Sequence, residues 1–101
     1  MARKQESIFA DKVIKDLKDF FGKHISIHNI QQVGINGSPD YLICIRGKFI
    51  ALELKSKGGS PSSIQIMKLI EIKKAGGYSA IVYPATWASV FDEIKLICGC
   101  G

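Results

Sequence analysis

Long apolar runs are absent from this 101-residue chain, and nothing approaches the ~18 to 20 consecutive apolar residues that a membrane-spanning helix requires. The opening residues, Met1 to Glu6, carry charge where a signal peptide has its apolar core, so the chain reads as soluble and cytoplasmic. Cysteine is scarce and odd in number, three in all, which argues against a secreted disulfide framework. Cys98 and Cys100 have no matching Cys or His pair to complete four zinc ligands, and Cys44, inside an apolar run, is expected in the core. The two histidines, His24 and His28, show no paired ligand spacing and are expected to be ordinary surface or core residues. Ser60, Ser62 and Ser63 have no histidine near them in sequence and no strand-turn-helix elbow, so the case for a nucleophilic serine is weak. Acidic residues are the minority, 9 against 14 lysines and arginines, and the resulting net charge of +5 suits a polyanionic partner.

What is present is enough for one core. With 47% hydrophobic and 23% charged residues the chain is expected to form a single domain over residues 1–101. Phe9, Val13, Leu17, Phe20 and Phe21 recur at three- and four-residue steps, which predicts an amphipathic helix over Lys4 to Phe21 that Gly22 ends. Glu6 falls near the middle of its apolar stripe, either aimed at the interior or placed to favour the positive end of the helix. Ile25 to Ile30 alternates as a short strand, and Gln31 to Ser38 forms an irregular loop. Tyr41 to Ile45 and Phe49 to Leu54, separated by Arg46-Gly47-Lys48, predict an antiparallel hairpin buried on both faces. Ser60 as N-cap and Pro61 at the first helical position open a second helix that ends near Gly76-Gly77 and is apolar nearly all round, hence well buried. Tyr78 to Tyr83 is a further strand, and Thr86 caps a last helix carrying Trp87, Val90, Phe91 and Ile94. The order predicts a mixed α/β layer: a central sheet with helices on its faces and a parallel crossover through the second helix.

Glu53 and Lys55 lie two apart at the end of an apolar strand, so their side chains leave from the same face. A hairpin turning at Arg46-Gly47 sets Asp40 opposite Glu53; one turning at Gly47-Lys48 sets it opposite Lys55; a three-residue turn sends it to the other face. Two converging carboxylates repel unless one is protonated or a cation is shared. Oxygen ligands of this kind, with the backbone carbonyl of Leu54 close by, suit Mg2+ or Mn2+, which commonly bind through one or two carboxylates plus substrate phosphate. An ammonium on Lys55 would hold an attacking water and offset phosphate charge, the outline of metal-assisted phosphodiester hydrolysis. The competing reading is an edge-strand charge pair beside an ordinary turn aspartate.

Ser38-Pro39-Asp40, twelve residues, then Glu53-Leu54-Lys55 resembles the Pro-Asp...(Asp/Glu)-x-Lys core of restriction-endonuclease-like nucleases. Over roughly residues 5 to 85 the chain is similar to the virus-type replication-repair nuclease family, VRR-NUC. It shares that family's N-terminal helix with a glutamate (Glu6), its Gly37-Ser38-Pro39-Asp40 approach to the hairpin, its Glu53-Leu54-Lys55 strand and a following helix with a glutamine (Gln65). The resemblance implies a restriction-endonuclease-like fold, Asp40 and Glu53 as ligands of Mg2+ or Mn2+, Lys55 as the residue that positions water, and Glu6 as an outer or direct ligand. Gln65 would orient a water or the scissile phosphate, or else fill the helix side near Leu69 and Ile72. With Glu6, Asp40 and Glu53 assigned to metal, the remaining surface is strongly basic, and Arg3, Lys4, Lys57 and Lys12 are the expected DNA contacts at the rim.

The function expected from this resemblance is structure-selective cleavage of DNA, recognised by shape because no base-reading module is evident. A homodimer would bring two sites to a four-way (Holliday) junction, with Trp87 and Phe91 as candidates for the seam and the monomer core as the alternative place for Trp87. Resemblance to phage-type members would place it in a bacterial or phage-infected cell. A nicking or flap nuclease of the same fold, or a DNA-binding module without catalysis, are the alternatives.

Overall fold

The structure is a computed structural model that describes residues 5–30, 39–56 and 59–99, with side chains from Ile8 onward. Helix α1 (Gln5–Phe21) turns Phe9, Val13, Leu17 and Phe21 inward, and the left-handed Gly22 breaks it into a single 3-10 turn, Gly22–His24. Strands β1 (Ile25–Asn29), β2 (Tyr41–Ile45) and β3 (Lys48–Leu54) follow, then α2 (Ser63–Lys74), β4 (Tyr78–Val82) and α3 (Trp87–Cys98). The order of elements is the one the sequence pattern predicts.

The sheet runs β1-β2-β3-β4, antiparallel except for the parallel β3–β4 pair that α2 connects. Arg46 and Gly47 form the hairpin turn with φ of 49° and 84°, the two positive values that a two-residue type I′ turn demands. This turn fixes Ile45 opposite Lys48 and Tyr41 opposite Leu52. One sheet face, carrying Tyr41, Ile43, Ile45, Ile50, Leu52, Leu54 and Val82, forms the main core with α1 and α3. The opposite face carries Ala51, Glu53 and Ser79 beneath α2, where the buried Ser79 hydroxyl donates to the Leu69 carbonyl at 2.7 Å.

Several expectations are corrected. The hairpin is buried on both faces only at Ile50 to Leu54: Cys44 is exposed, because it points to the α2 side of the sheet while α2 packs on β4. Helix α2 is not well buried either. Of its apolar residues only Leu69 is buried, and Ile64, Ile66, Met67 and Ile70 are 42, 41, 68 and 46% exposed. A lone helix on a sheet face turns one stripe inward, and steps of 100° carry Met67, Ile70 and Ile64 well away from Leu69. Its N-cap is Ser62, two residues later than expected, with Ser60 and Pro61 in the preceding loop. Thr86 precedes α3, but its hydroxyl bonds Tyr83 rather than the helix amides. Trp87 belongs to the core, 3% exposed, stacked on Phe91 and donating its indole N–H to Asp16 at 2.8 Å, so it is no seam residue.

Candidate active site

The register set by the Arg46-Gly47 turn, carried one step past Tyr41 and Leu52, places Asp40 beside Glu53. Of the three arrangements open to the sequence, this is the one that joins the two acids. Asp40 is 6% exposed and accepts the Leu54 N–H at 2.9 Å through Oδ2, while its own carbonyl accepts the N–H of Ile30. In a strand the N–H and C=O of one residue point to the same side, so the Leu54 carbonyl also opens toward the Asp40 edge.

Glu53, 2% exposed on the central strand, is held on one side only. Its Oε2 accepts Nε2 of Gln65 at 2.8 Å and lies 3.2 Å from the Lys55 ammonium, itself 18% exposed. Its Oε1 is buried and has no hydrogen-bond partner. Burial first, then the neighbouring charge of Asp40, push the Glu53 carboxyl above its usual range, and Lys55 and the backbone N–H of Asp40 oppose them. A buried acid with one bare oxygen beside a second carboxylate is costly to keep charged unless a cation is shared.

That is the test a divalent cation passes. Two carboxylates, one just before β2 and one on β3, the latter with an unsatisfied oxygen, match the sparse protein ligation of Mg2+ or Mn2+, which keep several waters. Among the described residues no group of three or more His, Cys, Asp or Glu gathers, so these side chains supply two acids and no complete cage. Glu6 lies in the first turn of α1 with its side chain outside the described residues, as are Arg3, Lys4 and Lys57 entirely.

Asp40, Glu53, Lys55 and Gln65, drawn from β2's approach, β3 and α2, are thus brought together. Lys12 pairs with Asp16 at 3.2 Å on α1, with most of its side chain exposed. His24 and His28 are exposed, His28 lying 3.1 Å from the Ser26 hydroxyl. The residue that sequence reasoning missed is Ser62. It forms a capping box with Gln65, and the Ser-x-x-Gln spacing that marks such a box was present in the sequence. Asp11 of α1 also reaches the region, since its charge, after burial and Asp40, raises the Tyr41 phenol.

No known family model matches the chain, and no curated protein matches it in sequence. A solved structure described as a "VRR_NUC domain" shares its fold, with a TM-score of 0.62 and 23% identity over 84% of this chain and 92% of the other. The mixed four-stranded sheet with its three helices agrees with the restriction-endonuclease-like fold that the motif resemblance implied.

Proposed function

We propose that this chain is a nuclease domain that hydrolyses phosphodiester bonds in DNA with Mg2+ or Mn2+. The observation that carries the proposal is the unpartnered, buried Oε1 of Glu53 beside Asp40, with Lys55 and Gln65 on the other oxygen. The shared fold of the VRR_NUC domain structure is a second support. Asp40, Glu53 and the Leu54 carbonyl would hold the ion, with Glu6 as a further ligand. When bound, the ion would supply charge to polarise the phosphate and acidify water. Lys55, close to the site and largely dry, holds a water for in-line attack and offsets negative charge building on the phosphate. Asp40 is kept in place by the Leu54 amide, so it presents its carboxylate without the cost of ordering it.

The DNA contacts proposed are Arg3, Lys4, Lys12 and Lys57, and the substrate proposed is branched DNA, a four-way junction cut by a homodimer. The support for self-association is the exposed apolar ridge of Ile66, Met67 and Ile70 on α2, of which Ile66 and Ile70 line a groove against β4 with Ala80 and Ile81. Met67→Glu is expected to yield a monomer by light scattering while the fold is retained.

The deciding experiment offers labelled four-way junction, splayed duplex and linear duplex to the protein in Mg2+, Mn2+ or EDTA. Paired, metal-dependent cuts in the junction, reduced about 10² to 10⁴-fold in Lys55→Ala, are the expected result. Junction binding with no cut by the wild type would replace the nuclease with a binding module.

A further inference from the structure

Gln65 uses both ends of its side-chain amide. Its Oε1 accepts the backbone N–H of Ser62 at 2.9 Å, and its Nε2 donates to Oε2 of Glu53 at 2.8 Å. The Ser62 hydroxyl in turn accepts the Gln65 N–H at 3.2 Å, which closes the box and starts α2. The amide has one workable orientation. Turned over, it would set its NH2 against the Ser62 N–H and its oxygen against a carboxylate.

We infer that Ser62 is a positioning residue for the acidic site: its capping box fixes Gln65, which together with Lys55 occupies Oε2 of Glu53 and leaves Oε1 as the oxygen without a side-chain partner. The inference rests on the metal reading above and adds to it a second function for a helix cap. A capping box accepts glutamate or glutamine at its third helical position. Here glutamine is required, because glutamate could close the same box but would meet Glu53 with a third negative charge and no proton to give. Partners that orient a metal ligand typically alter metal affinity 10–100-fold when removed.

The test is Mn2+ binding to the full-length protein in the absence of DNA, followed by calorimetry, for the wild type, Ser62→Ala, Ser62→Thr and Glu71→Gly. Glu71 is an exposed residue inside α2, away from the box, so its glycine variant weakens the helix without touching Gln65. Ser62→Ala is expected to lower Mn2+ affinity about tenfold or more. Ser62→Thr keeps the hydroxyl and is expected to restore it, and Glu71→Gly is expected to lose thermal stability yet bind Mn2+ like the wild type. Equal loss of affinity in Ser62→Ala and Glu71→Gly, or none in Ser62→Ala, overturns the inference and leaves the metal reading standing. A wild type that binds no Mn2+ overturns the metal reading instead. The positioning claim is then decided by NMR of the metal-free protein: the Gln65 side-chain amide signals should shift in Ser62→Ala and not in Glu71→Gly, and an unmoved signal in Ser62→Ala refutes it.

Discussion

Glu53 concentrates the conflict on which the site is built. Its carboxyl is raised above its ordinary value of 4.5 by burial and by Asp40, so without metal the folded chain holds that proton more tightly than the unfolded chain. Stability is therefore fullest below the ordinary value and falls as pH rises through the raised one. Glu53→Gln removes this loss, and its melting temperature in EDTA should exceed that of the wild type at pH 8 by a margin that disappears near pH 4. A margin equal at both pH values would contradict the account. Asp16 behaves oppositely. The Trp87 indole, then Lys12, hold its carboxyl below the ordinary 3.8, so its contribution is present above that value and is lost as pH falls through the folded one. Asp16→Asn should cost about 1 kcal/mol at pH 7, a drop of roughly 4–8 °C, and the cost should shrink in acid. Thermal melts across pH check both.

Helix α2 shows how an apolar composition can mislead. Six apolar residues in a twelve-residue helix suggest burial, yet the helix rests on the sheet through the stripe of Gln65, Leu69 and Ile72 and leaves the rest outside. Its far end is fastened by a close approach of backbone: a Cβ on Gly77 would come within 2.9 Å of Ile72 Cγ2 and 3.0 Å of the Phe49 ring. Gly77→Ala should destabilise the protein by about 1–3 kcal/mol in urea unfolding, because the added Cβ would also press on the Phe49 backbone carbonyl at 3.3 Å, so the clash is not relieved by side-chain movement alone. An unchanged midpoint would show that the α2–β4 turn shifts freely.

For the molecule as a whole, the proposed function assigns docking to basic charge and chemistry to the buried acidic site. The four proposed contacts, Arg3, Lys4, Lys12 and Lys57, imply a slope near −3.6 for log affinity against log salt, or roughly 150-fold weaker junction binding between 50 and 200 mM. Lys57→Ala should reduce that slope by about 0.9. A slope near zero would remove the electrostatic docking surface from the proposal.

The order of elements and the shared face of Glu53 and Lys55 were legible in the sequence because they depend on local periods. Phe9, Val13 and Leu17 mark a helix by their spacing, and Glu53 and Lys55 share a face because strand side chains alternate. Three matters needed the tertiary structure. Whether Asp40 meets Glu53 depended on a turn whose two positive φ values no residue count fixes, since one residue more reverses the face. Whether Cys44, Trp87 and the apolar residues of α2 are covered depended on which elements lie over them, and hydrophobicity alone does not say where a neighbour ends. The coupling of Ser62 to Glu53 joins residues on two elements, so the sequence carried the capping box while only the docking of α2 onto the sheet gave the amide a carboxylate to hold.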